Sequence, residues 1–201
     1  MGTRLIAAVA ALPLIFGCGP RTATAGFWYD DHAFALPADA AEQLGGLLTD
    51  AERESIEHTS RLELERAFAG MRISITGRHD AFWRVEVVRA LRGRGPFPNA
   101  GESMPRGFLG GSGGVSFELV ALKAIQYAPP GATRQTIVDG IGRGIGRVAA
   151  HEFAHQMINA GATHNPGDEN SYEFPSPDRA AQYYGELRWT TARPLLEQRL
   201  R

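Results

Sequence analysis

His151-Glu152-Phe153-Ala154-His155 sits in an apolar stretch that includes Val148, Ala149, Ala150, Met157 and Ile158. The two histidines are four apart. A helix turns once per 3.6 residues, so both imidazoles leave one face, about one turn apart. That spacing suits two neutral imidazole nitrogens on a single Zn²⁺, at about 2.0–2.1 Å each. Glu152 leaves from a neighbouring part of the helix surface, within reach of a water on the ion without being a ligand. The expected chemistry is hydrolytic: Zn²⁺ lowers the pKa of a water towards about 7, Glu152 takes the proton, and a polarised carbonyl is attacked. An amphipathic helix with two polar-satisfied histidines is the plainer alternative. It fits poorly, because the apolar surroundings place both imidazoles in or beside a core.

The H-E-x-x-H pattern and its surroundings, residues 137 to about 173, resemble the zincin metallopeptidases. The resemblance implies that His151 and His155 are the first two zinc ligands and Glu152 the general base. It leaves the third ligand open. Metzincins place a glycine three residues and a histidine six residues beyond the second histidine, whereas Ile158 and Gly161 stand here. Gly161-Ala162-Thr163-His164 keeps the glycine-x-x-histidine piece, displaced by three residues, and no methionine follows Met157 to make a Met-turn. Gluzincins take a glutamate from a later helix; Glu173 stands near that distance, but Pro175 follows it closely. Asp168 and Asp178 are aspartate alternatives. His164 is preferred, since imidazole is a favoured zinc ligand and Gly161 permits a sharp reversal of the chain. Tyr172 is a candidate donor to the oxyanion, a role tyrosines play in some zincins, with core packing as its alternative. An edge strand beside the active-site helix often binds the peptide in zincins, and the 115–122 run with the glycine loop before it is the expected counterpart.

At the other end of the chain, Arg4 and the apolar run Leu5 to Phe16 read as a signal peptide, too short to span a membrane. Leu14-Ile15-Phe16-Gly17-Cys18 resembles a bacterial lipobox, with cleavage after Gly17 leaving Cys18 as the acylated residue. Cys18 is the single cysteine in the chain, so no internal disulfide forms. The expected location is the bacterial cell envelope, as a membrane-anchored lipoprotein facing the periplasm or the exterior. Residues 1–17 are then signal peptide, 18–43 a lipid-anchored tether and 44–201 the catalytic domain. Removing Arg4 with the leader takes the net charge from −1 to −2, which leaves no basic footprint for nucleic acid. The length suits one domain, and no internal repeat is visible.

Between these ends, Thr49-Asp50-Ala51-Glu52 has capping-box spacing for a helix running to Gly70. Residues 71–76 and 82–91 alternate as strands and read as a hairpin about Gly77–Asp80. Residues 92–114 read as a long Gly/Pro loop. Its Gly110-Gly111-Ser112-Gly113-Gly114 matches G-x-S-x-G formally, but a nucleophile elbow needs a strand before and a helix after. Thr133 is the expected N-cap of the histidine-bearing helix. Gly140, Gly142, Gly144 and Gly146 form two i, i+4 pairs that would let another element approach closely. Ser176 and Pro177 open the expected final helix.

The expected fold is therefore α+β and zincin-like: a small mixed sheet against the histidine helix, closed by a C-terminal helix. The expected function is Zn²⁺-dependent hydrolysis of a peptide or protein substrate. Two alternatives stand beside it. One is a non-catalytic envelope lipoprotein that binds a partner, with an inactive or structural metal site; the other is a zinc amidase acting on a non-protein envelope substrate. An open coordination position separates catalysis from structure.

Overall fold

The computed structural model describes residues 22–91, 99–106, 110–158 and 163–201. Cys18 and the leader lie outside the described residues, as does Gly161. The chain is a mixed α/β unit. Its order is β1 (Ala23–Tyr29), α1 (Ala38–Leu44), α2 (Asp50–Ala67), β2 (Ile73–Thr76), β3 (Trp83–Val88), β4 (Gly101–Pro105), β5 (Gly111–Ser116), α3 (Phe117–Gln126), α4 (Arg134–Met157), α5 (Ala181–Tyr184) and α6 (Arg193–Arg199). The five strands form one sheet in the order β2-β1-β3-β5-β4. β4 alone runs antiparallel, along β5; the other pairs are parallel. No helix among the described residues is long and apolar enough to cross a membrane.

Three expectations about the sheet are corrected. Residues 18–43 are not simply a tether, because Ala23–Tyr29 pairs with strands on both sides. Ala25 and Phe27 lie in the core, but Ala-Thr-Ala-Gly is too small and mixed to show a strand period. β2 and β3 do not form a hairpin. β1 lies between them, and the loop after β2 crosses directly over Gly26, where any Cβ would collide with the Arg78 carbonyl. The missing side chain is what lets the loop cross, so the two strands end up parallel on either side of β1. Finally, the glycine stretch 111–116 is itself strand β5, and the residues after it are helix α3, capped by the Ser116 hydroxyl. Ser112 therefore sits inside a strand, paired with Arg84 and Met104.

The helical features follow the sequence more closely. Thr49 and Glu52 form the reciprocal capping box of α2, and Thr133 caps α4. Arg134, at the first turn of α4, forks onto both oxygens of Glu52 at 2.6 and 2.9 Å. The starts of the two long helices are thereby tied together. Gly142 and Gly146 face α2, while Gly140 and Gly144 face Tyr184 and Tyr183. The final helix is shorter than expected: residues 171–180 are irregular, and helix resumes as α5 and, at Arg193, as α6.

Candidate metal centre

α4 lays its C-terminal half across β3, β5 and β4. One residue fixes that seating. The Gln156 amide accepts from the Arg84 backbone N–H at 3.1 Å and donates to the Arg84 carbonyl at 2.9 Å. It imitates a strand neighbour, and Gly111 and Gly113 leave the room it occupies. His155 is the next residue back, so the helix end that carries the histidines is registered to the sheet.

The structure brings His151, His155 and His164 together, with one nitrogen from each within 4.8 Å of the others. His151 Nε2 and His155 Nε2 face each other at 3.0 Å. Two nitrogens on one tetrahedral zinc at about 2.0–2.1 Å are roughly 3.3 Å apart, so the spacing is close to what the ion needs. The outer nitrogens are engaged elsewhere. His151 Nδ1 donates to the Tyr172 carbonyl at 2.8 Å, and His155 Nδ1 meets the Thr163 hydroxyl at 2.8 Å. Such outer partners orient imidazole ligands and leave Nε2 for the metal. Burial pulls the pKa of both His151 and His155 down to about 4. Both are therefore neutral at pH 7, the form in which imidazole binds metal. The donor set and its surroundings fit a zinc ion.

Glu152 lines the same cleft, which has a volume of about 470 Å³. Burial, and then the charge of Glu102, raise its pKa to about 8. Gly101 lies against it so closely that a Cβ there would strike the Glu152 carboxylate. The Ser103 hydroxyl donates to the Glu152 backbone carbonyl at 3.2 Å. β4 thus forms one wall of the cleft and residues 174–177 contribute to the other.

The other sequence candidates are placed elsewhere. The Glu173 carboxylate is filled by the backbone N–H groups of Thr190, Thr191 and Ala192 and by the Thr190 and Thr191 hydroxyls, at 2.6–3.1 Å. Burial works against its ionisation, but these donors outweigh it and hold the carboxyl below its usual range. It pins the 190–192 segment rather than offering a ligand. Asp168 pairs with Arg188 at 3.1 Å, and Asp178 takes Lys123 and Tyr127. Tyr172 is not free as an oxyanion donor, since its hydroxyl is committed to Glu63 at 3.1 Å. Among the described residues, the three histidines are the only group of this kind placed so that it could hold a metal ion.

Sequence reading missed β4 as the wall, along with Gln156, Thr163, Glu63 and Arg147. Arg147 did leave a signal. It stands one turn before His151 on the same face, a full charge in a stretch of small and apolar residues. Comparison with protein-family models, with curated proteins and with solved structures returns no match.

Proposed function

We propose that the chain is a zinc-dependent hydrolase of peptide bonds, zincin-like in arrangement. One observation carries this reading: three imidazoles converge on one point with a buried glutamate and an edge strand around the same cleft. His151, His155 and His164 would hold the ion. Zinc bound there supplies Lewis acidity, which makes a water acidic and polarises a carbonyl. Glu152 is the base that takes the proton of the attacking water and returns it to the leaving amine. Its raised pKa belongs to the metal-free site; a cation held beside it would favour the carboxylate, the form that accepts the proton. Three protein ligands leave a coordination position open, as hydrolysis requires and a closed structural site does not.

β4 replaces the 115–122 run as the substrate strand. Its inner edge pairs with β5, and its outer edge has no strand partner among the described residues. An extended peptide can add there by main-chain hydrogen bonds, which would place its carbonyls beside the histidines. Lipidation at Cys18 would set this domain on the envelope surface.

Metal analysis of the purified protein tests the ligand set, and a casein or peptide-library assay tests the chemistry. One zinc per chain is expected, retained in Glu152→Gln and lost in His164→Ala. Cleavage is expected to fall by roughly 10²–10⁴ in Glu152→Gln, the range that general acid–base groups contribute. A wild type that takes up no metal under replete conditions would leave the binding-lipoprotein alternative in its place.

A further inference from the structure

We propose that Glu63, locked by Arg147, is a positioning residue for His151 and acts through Tyr172; the inference rests on the metal-site reading above. Arg147 is 1 % exposed, and Glu63 is 3 % exposed. The Arg147 Nε donates to Glu63 Oε1 at 2.9 Å. The remaining guanidinium nitrogens donate to the carbonyls of Ala181, Gln182 and Gly185 at 2.8–3.2 Å. Glu63 Oε1 also accepts from the Tyr172 hydroxyl at 3.1 Å, and Arg66 lies 3.6 Å from its other oxygen. Tyr172 in turn offers its backbone carbonyl to His151 Nδ1. A continuous chain of buried contacts therefore runs from α2 and α5 to the imidazole.

The chain has a direction that chemistry explains. A carbonyl can only accept, so it fixes Nδ1 of His151 as the protonated nitrogen and Nε2 as the free one. That assignment matters only if the carbonyl stays where it is. The side chain of the same residue is anchored by a buried ion pair, whose partners cannot move apart without stranding a charge. Neighbouring contacts hold the Tyr172 backbone as well: its N–H donates to the Arg188 carbonyl at 3.1 Å, and the Glu173 clamp follows directly. The hydroxyl is one of several restraints, so its removal should loosen His151 rather than release it.

The test uses Tyr172→Phe, which deletes one oxygen, keeps the ring against Trp189 (centroids 5.0 Å) and leaves the Arg147–Glu63 pair intact. Arg147→Ala is unsuitable because it strands Glu63 and threatens folding. Zinc affinity is measured by chelator competition well below the melting temperature, and the visible spectrum is recorded with cobalt in place of zinc. Direct partners of zinc-bound histidine typically change affinity 10–100-fold. One step further out, we expect Tyr172→Phe to weaken zinc binding about three- to tenfold and to alter the cobalt bands. Wild-type affinity and an unchanged cobalt spectrum in Tyr172→Phe, whatever its melting temperature, would reduce the chain to a structural tie and overturn the inference. Absence of metal in the wild type would sink the metal-site reading first and this one with it.

Discussion

The two halves of α4 are built for different purposes. From Arg134 to Gly146 the helix spends its sequence on proximity: Gly142 and Gly146 meet α2, and Gly140 and Gly144 meet the tyrosines of α5. From Arg147 to Met157 it spends it on polar groups that are buried and nevertheless partnered, Arg147 on Glu63, His151 on Tyr172, Gln156 on Arg84. Glycines inside a helix cost roughly 1 kcal/mol each against alanine. The close approach they permit brings α2 and α5 within reach of the second half. Glu63 shows the link: it reaches Arg147 from α2, whose backbone at Ser60 lies against Gly146.

If the halves are separable, substitutions should dissociate them. The largest effect is expected from His155→Ala: metal retention is lost, while the metal-free melting temperature stays within about 3 °C of wild type, as for a partly exposed side chain. The reverse is expected from Gly142→Ala. Its new Cβ would lie 2.7 Å from Thr59 Cβ and 3.0 Å from the Ile56 carbonyl, atoms fixed to the α2 backbone. Overpacking of this kind costs about 1–3 kcal/mol, against about 1 kcal/mol gained in helix propensity. A fall of several degrees in melting temperature with zinc stoichiometry unchanged is the expected outcome. Loss of metal in Gly142→Ala, measured on folded protein, would show that the halves are coupled.

The division also explains what could be read from sequence. The capping box at Thr49 and the cap at Thr133 are local, and they appear where spacing put them. The grouping of His151, His155 and His164 was legible in part because two of the three obey helical geometry. What stayed hidden was non-local. β1 shows no clear period because it is made of small residues, and Gly26 matters only to a loop fifty residues later in the chain. The glycines of β5 read as loop, yet they form a strand between β3 and β4, and Gly111 and Gly113 leave the room that Gln156 fills from α4. Glu173 looked like a ligand by spacing, and its carboxylate is claimed by Thr190, Thr191 and Ala192 instead.

Protons give a subtler separation within the second half. His151 and His155 have pKa values lowered from 6.5 to about 4, so the unfolded chain binds more protons than the folded one between those values. Their contribution is lost as pH falls from 6.5 towards 4. Glu152 is raised from 4.5 to about 8; the folded chain holds its proton longer, so its contribution is lost as pH rises from 4.5 towards 8. Two histidines outweigh one glutamate below 6.5, and above it the glutamate acts alone. The metal-free protein should therefore be most stable near pH 6.5, with a shallow alkaline decline that Glu152→Gln removes. Saturating zinc should also remove that decline, because a nearby cation favours the carboxylate. Denaturant unfolding from pH 5 to 8.5, with chelator and with zinc, reads both limbs.

The smallest effect is expected from Gly140→Ala, and its size tests why the first half is glycine-rich. A Cβ there would lie 2.7–2.8 Å from ring atoms and the hydroxyl of Tyr184, closer than Gly142 stands to most of its neighbours. Distance alone would rank this substitution as the worse of the two. The obstacle, however, is the far end of a side chain, partly exposed and held by one hydrogen bond from its hydroxyl to the Ala124 carbonyl at 2.6 Å. A ring at the edge of a four-residue helix can move; a backbone carbonyl inside an eighteen-residue helix cannot. The gain of about 1 kcal/mol from removing a helical glycine should therefore nearly balance the displaced ring, leaving stability within about 1 kcal/mol of wild type. A loss equal to that of Gly142→Ala would mean that α5 is held as rigidly as α2, and that Arg147, which grips the carbonyls of Ala181, Gln182 and Gly185, carries its restraint all the way along the helix.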